Sequence, residues 1–268
     1  MSGAISPSST ALRQNLSLAG VAEPLERAFG FKKAPAVAIV INSPGGSPVQ
    51  SRQIYRRIRD LAAEKEKKVH VFVEDVAASG GYMIACAGDD ITVDPSSIVG
   101  SIGVISASFG FVEAIKKLGV ERRVHTAGQN KSVMDPFQPE KKADIDRLKA
   151  LQLEIHQIFI DLVKESRGDR LSDNKDLFTG QFWAGEKGIE LGLADQIGDI
   201  RSTLKSKYGA KTKLELIEPK KGLFGRKAGT GISLAGFEDG QAAELVGAAS
   251  QGLLNAADER ALWARYGL

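Results

Sequence analysis

Residues 36–74 read AVAIVINSPGGSPVQSRQIYRRIRDLAAEKEKKVHVFVE. The opening AVAIVIN (36–42) is a short, β-rich apolar run, the pattern of a buried strand. It halts at Ser43-Pro44-Gly45-Gly46, a strong turn signal. Ser47 then offers an N-cap hydroxyl, and Pro48 suits the first helical position, where a missing N–H costs nothing. Ile54, Ile58 and Leu61 recur at helical spacing beside Arg52, Arg56, Arg57 and Arg59, which makes the segment an amphipathic helix. VHVFVE (69–74) is a second β-rich run. Strand, helix and strand in this order form a βαβ unit, with parallel strands and a right-handed crossover.

The alternation continues outward. Residues 79–88 can form a helix despite their glycines, ITVD (91–94) and IGVISA (102–107) read as strands, and FVEAIKKLG (111–119) as a helix ended by Gly119. VERRVHT (120–126) reads as another strand. From Pro139 to Arg167 a long helix carries the stripe Ile145, Leu148, Leu151, Ile155, Phe159 and Leu162, and shorter helical units follow at 184–192 and 199–208. The fold class is α/β, with a mostly parallel sheet. From about residue 218 the sequence turns rich in Gly and Lys, which predicts a linker or mobile arm, before helical character returns over 240–266. The expected organisation is a domain over 1–217 and an extension over 218–268, which could dock on the domain or on a neighbouring subunit.

Bulk properties exclude several classes. The net charge of +3 over 268 residues is small, and 6% aromatic residues give little stacking surface, so nucleic acid is not an expected partner. One cysteine, Cys86, allows no intrachain disulfide. His70, His125 and His156 are scattered and outside any metal-binding frame, so no metal is expected. No basic-then-apolar leader opens the chain, and no run approaches the roughly 18 apolar residues of a membrane span. As written, the sequence implies a cytoplasmic protein with no membrane span.

The stretch EDVAASGGYMIACAG (74–88) places Ser79 between a strand and a helix, at the sheet edge where α/β proteins hold their ligands. A small-residue turn is one reading of it, and an exposed nucleophile is the other. Gly80 could give a backbone N–H to an oxyanion, and Gly46, on the turn ending the preceding parallel strand, a second. Each such donor is worth about 3 kcal/mol in a transition state. Gly45 and Tyr82 are candidates to line a pocket beside them. A serine needs a base. His70 and His156 lie inside elements and read as packing residues, whereas His125 sits nearer a strand end. Lys131, in the loop HTAGQNKSVMDPF (125–137), is the other candidate, because a partly buried amine is more easily neutral. The residues alone leave His125, Lys131 and a solvated loop lysine open. Cys86, among small apolar residues, reads as buried packing, and Asp89 and Asp90 as a solvated turn.

INSPGGSPVQSRQIYRRI, DVAASGGYMIACAGDDITVDPSSIVGSIGVI, TAGQNKSVMDPF and LFTGQFWAGEKGIELGLADQIG, in this order, closely resemble the bacterial signal peptide peptidase (protease IV) family over about residues 36 to 208. The resemblance implies a ClpP/crotonase-like fold of repeated β-β-α and βαβ units, and a serine–lysine endopeptidase that acts on signal-peptide remnants or other short unfolded peptides without a cofactor. It makes Ser79 the nucleophile, Lys131 the base, Ser101 of GSIGV the residue that orients the lysine, and Gly46 the oxyanion glycine. It also implies a homo-oligomeric ring, octameric by the same likeness. A prophage-type capsid maturation protease shares this chemistry, while a scaffold or a crotonase-like acyl-CoA enzyme would keep the fold without it. Many members begin with a membrane anchor and a first core strand. This chain opens at MSGAIS, which reads as the end of that strand, and a trimmed start would imply peripheral or membrane association.

Overall fold

The computed structural model describes residues 1–7, 15–217, 257 and 260–268. Helix α1 (Leu18–Gly30) leads into the βαβ unit of β1 (Ala36–Ser43), α2 (Pro48–Glu64) and β2 (Lys68–Ala78). Then come α3 (Gly80–Ala85), β3 (Asp90–Val93), β4 (Ile98–Gly100), α4 (Val112–Lys117) and the long α5 (Lys142–Arg167). A 3-10 turn (Gly168–Arg170), β5 (Phe182–Ala184), α6 (Gly185–Glu190), β6 (Gln196–Ile197) and α7 (Ile200–Tyr208) complete the order.

β2 is the spine of the sheet. β1 runs parallel to it from Ala36↔Lys68 to Ile41↔Val73, and β3 is parallel to its first half from His70↔Asp90 to Phe72↔Thr92. β4 is parallel to its last residues, from Val76↔Ile98 to Ala78↔Gly100. β6 adds in parallel to β3, and β5 closes the other side antiparallel to β4. β2 changes neighbour at Glu74 and Asp75, which are exposed between buried stretches, and β1 shifts register between Ile41 and Ser43 at the same level. Such an irregularity bends a strand and increases its twist, so the mostly parallel sheet curls there. Val69, Val71, Val76, Ala77 and Ala78 have no exposed surface, as expected of a strand covered on both faces. The buried stripe of α2 (Ile54, Ile58, Leu61) joins Leu25 and Phe29 of α1 in the core, and all six residues of α3 are buried. Residues 1–6 run beside the end of β1, bridging Ser2 to Asn42 and Ile5 to Gly46.

One buried ion pair ties the far end of α5 to the sheet. The Arg167 guanidinium, without exposed surface, donates to both Asp195 carboxylate oxygens at 2.9 and 2.8 Å and to the Gly192 carbonyl at 2.8 Å. Asp195 also accepts from the Ile91 N–H at 2.7 Å. Burial alone pushes the Asp195 carboxyl up, but the bonds from Arg167 and Ile91 outweigh it and hold the group below the usual carboxylate range.

Two expected strands are absent. Residues 102–107 and 120–126 are irregular, and the strand in this region lies earlier, at Ile98–Gly100. β-propensity counts only where a neighbour is available. β4 is already flanked by β2 and β5, and the backbone turns out of the sheet at Ser101, whose φ is +52°. From 103 to 158 no residue is buried. The stripe on α5 therefore reaches the core only at Phe159 and Leu162, with Leu151 52% exposed. The expected linker and most of the 240–266 helical region lie outside the described residues. Within the described part, 260–268 docks on the domain, where Tyr266 packs with Val76 and Ala78.

Arg167→Ala is expected to lower unfolding free energy by about 2–5 kcal/mol, because it empties the volume of a fully buried side chain and leaves the half-buried Asp195 carboxylate with only Arg170 and the Ile91 N–H; urea denaturation at neutral pH measures this. Asp195 titrates below its unfolded value of about 3.9, so its share is complete above that pH and fades as pH falls through the folded value. The gap between wild type and variant should narrow accordingly in acid.

Candidate active site

Parallel pairing brings three strand ends to one edge. Ser43 of β1 faces Ala77 of β2, and Ala78 faces Gly100 of β4. The residues that follow, Pro44-Gly45-Gly46, Ser79-Gly80 and Ser101, therefore converge. The Ser79 N–H donates to the Gly100 carbonyl at 2.9 Å. A Cβ placed on Gly45 would stand 2.7 Å from the Ser79 Cβ and 2.9 Å from the Gly80 nitrogen, so the turn after β1 lies directly against the serine.

Ser79 adopts φ +53° and ψ −122°, a conformation an L-residue rarely takes. Holding it there costs about 1–3 kcal/mol, and a sharp strand-to-helix turn of this kind lifts a side chain clear of the sheet. Ser79 also occupies the N-cap position of α3 without capping it. The hydroxyl of Ser17 caps α1, that of Ser47 caps α2, and the Asp199 carboxylate caps α7. The Ser79 hydroxyl is thus half-buried and left without a structural bond among the described residues. A serine placed only for a turn would be expected to cap.

The glycines have separate reasons. The Gly45 N–H donates to the Ser43 hydroxyl at 3.3 Å, and its carbonyl accepts from the Ile5 N–H at 2.8 Å. Across a trans peptide the Gly46 N–H points opposite to that carbonyl, away from the Ile5 strand. It meets no acceptor among the described residues. Gly46 itself has φ +140°, and a side chain there would run into the Ile5 backbone. A Cβ on Gly81 would lie 2.5 Å from the Ser43 carbonyl oxygen, and one on Gly80 would collide with the Ser51 hydroxyl. At Gly100, φ +106°, a Cβ would stand 2.9 Å from the Trp183 ring, so Trp183 packs flat on the strand before Ser101.

The other candidates sort by what holds them. Lys131 is exposed, in a turn where its N–H donates to the Gly128 carbonyl at 3.2 Å, and its amine has no partner among the described residues. It belongs to the 103–158 arm, where no residue as a whole is buried, so the single chain gathers Ser79, Ser101, Gly45, Gly46 and Gly80 and leaves Lys131 apart. His125 is exposed on the same arm. His70 is bonded to Asp90 at 2.8 Å and to the Tyr208 hydroxyl at 2.7 Å, and His156 to the Ile102 carbonyl at 2.9 Å. Tyr82 does not line a pocket. α3 turns its side chain into the core, where it is fully buried and donates to the Leu193 carbonyl at 2.8 Å. Cys86 is buried too, its thiol pushed up to about 12 by that burial. Asp89 and Asp90 are structural rather than solvated: Asp89 pairs with Arg59 and accepts from the Val69 N–H. No cluster able to hold a metal occurs among the described residues.

Sequence reasoning missed Tyr266. Its hydroxyl donates to the Ser101 hydroxyl at 3.2 Å, with the Pro44 carbonyl oxygen 3.5 Å away. ALWARYGL (261–268) carries no motif, and only tertiary packing places it at this edge.

A family model, Peptidase family S49, matches residues 62–213. The chain belongs to this peptidase family, as the resemblance to signal peptide peptidases implies, and the curled, mostly parallel α/β sheet agrees with its ClpP/crotonase-like fold. The chain is 29% identical over 216 residues to the chloroplastic serine protease SPPA of Arabidopsis thaliana, covering 77% of this chain and 32% of that one. It is 64% identical over 267 residues to proteins of Brucella abortus and Brucella melitensis named Na(+)/H(+) antiporter NhaA. That match covers 99% of this chain but spans only 36% of the length of those relatives. No helix among the described residues is long and apolar enough to cross a membrane.

Tyr82→Phe should cost about 1–3 kcal/mol of stability, the penalty for an orphaned buried carbonyl, while leaving the KM for a peptide unchanged. Thermal denaturation and steady-state kinetics on one preparation check both halves, and a raised KM would return Tyr82 to the site.

Proposed function

We propose that this chain is a serine endopeptidase with Ser79 as nucleophile. The observation that carries the reading is the backbone of Ser79, strained at positive φ beyond the end of β2, with a hydroxyl that caps nothing. Lys131 in its neutral form takes the hydroxyl proton as Ser79 attacks a peptide carbonyl, and Ser101 orients the amine. The developing oxyanion is held by the N–H groups of Gly46 and Gly80. The lysine then protonates the leaving amine, and a water activated by the same amine releases the acyl group. Substrates are signal-peptide remnants or other short unfolded peptides, whose extended backbone can lie along the edge formed by the two turns. A crotonase-like acyl-CoA chemistry would need the oxyanion donors but not an uncapped serine.

The same reading makes the active form a homo-oligomer. The 103–158 arm exposes Ile105, Phe109, Leu118, Val120, Leu151 and Leu153, each more than half exposed, with Lys131 between them in sequence. Gathered on one face they would mark an interaction surface, and a second copy covering it would fix the arm and bring a lysine to the serine. Specific activity should then fall on dilution, in step with the mass reported by light scattering. A constant specific activity in a monomeric sample would remove the oligomer from the mechanism.

Hydrolysis of a fluorogenic peptide panel by wild type, Ser79→Ala and Lys131→Ala tests the dyad. Both substitutions should lower kcat at least about 10³-fold, since groups acting as one unit are not additive. Full activity in folded Lys131→Ala would contradict the assignment.

A further inference from the structure

Tyr266 holds the hydroxyl of Ser101, the residue proposed above to orient the base. Tyr266 is 7% exposed, although its neighbours Arg265, Gly267 and Leu268 are exposed, and with the half-buried Trp263 it anchors the segment. The ring packs on Val76 and Ala78 of β2, with Ile98 and Trp263 alongside, and meets Phe182 of β5 edge-on with centroids 5.0 Å apart. Its hydroxyl donates to Ser101 Oγ at 3.2 Å and lies 3.5 Å from the carbonyl oxygen of Pro44. Ala78 immediately precedes Ser79, Pro44 begins the turn that carries Gly45 and Gly46, and Ser101 follows the strand bonded to Ser79. A phenol wedged among these three elements stands where an amine oriented by Ser101 would have to enter.

We propose that the 260–268 segment is an intramolecular inhibitor, with Tyr266 as the plug that keeps the base from Ser101. This rests on the reading of Ser79 and Ser101 given above. Tethering through the same chain makes a weak contact effective, because the segment never leaves the neighbourhood of the site. Two aromatic rings, one of them only half-buried, and one hydroxyl bond make a latch, not a lock. The closed and open states therefore differ little in free energy, and whatever binds the edge better than Tyr266 shifts the population toward the open one. A peptide substrate, or a lysine-bearing arm from a second copy, would each do so.

The test uses the full chain and the rate at which a fluorophosphonate acylates Ser79, followed by intact mass. Tyr266→Ala should label about tenfold faster than wild type, equivalent to ~1.4 kcal/mol of lost docking. Tyr266→Phe should fall between the two, since it keeps the ring and loses the bond to Ser101. The synthetic peptide RALWARYGL, added to Tyr266→Ala, should slow labelling again in a saturable way, and the same peptide carrying Tyr266→Ala should not. Equal labelling rates for wild type and folded Tyr266→Phe, with no effect of the peptide, would overturn the latch while leaving the nucleophile in place. Absence of labelling in every folded variant would overturn the nucleophile and the latch together.

Discussion

The structure depends on the parallel pairing of β2 with β1 and β4. Parallel strands end at the same edge, so the residues that follow each strand meet without any long connection crossing the site. The register decides which residues meet. Ala78 opposite Gly100 places Ser79 beside Ser101, and Ser43 opposite Ala77 places the Pro-Gly-Gly turn against both. A slip of one residue in β2 would turn the side chains around it to the opposite face of the sheet and separate Ser79 from its neighbours. The covered faces of β2, with Val69, Val71, Val76, Ala77 and Ala78 fully buried, hold that register.

The edge is costly to keep as it is. Ser79 and Ser101 are both L-residues at positive φ, and the Ser79 hydroxyl is withheld from a helix end it could cap. Strain of this order persists only where the surroundings enforce it. Here they do: the Ser79 N–H is fixed to Gly100, the Ser101 N–H donates to the Gln181 carbonyl at 2.7 Å, and Gly45 fits against Ser79 with no room for a side chain. The stability needed to carry the strain comes from the buried core, while the Arg167–Asp195 pair fixes the far end of α5. That pair joins α5 to the loop before β6.

The parts of the fold written in local pattern were legible. The β1–α2–β2 unit follows from an apolar run, a Ser-Pro-Gly-Gly turn, a Ser-Pro helix start and a helical stripe, each a short-range signal. The position of Ser79 between strand and helix, and the glycines beside it, follow from the same stretch. What failed depended on neighbours that a sequence does not name. IGVISA and VERRVHT have strand composition but no free strand edge to join, so they stay irregular. Tyr82 sits three residues from Ser79, yet helical geometry sends it into the core rather than toward the edge. Lys131 is singled out by the family resemblance alone, since its local sequence gives only a loop lysine. Tyr266 meets Ser101 across 165 residues, and nothing in either local stretch announces the contact.

Everything proposed for this edge follows from Ser79 acting as a nucleophile that faces two oxyanion donors. A crystal structure of the chain treated with a peptide boronate tests it most directly. The expected result is a tetrahedral boron bonded to Ser79 Oγ, with one boron oxygen about 2.7–3.1 Å from the N–H groups of Gly46 and Gly80. Boronate bound at another residue, or an unmodified Ser79 in crystals saturated with the reagent, would contradict it.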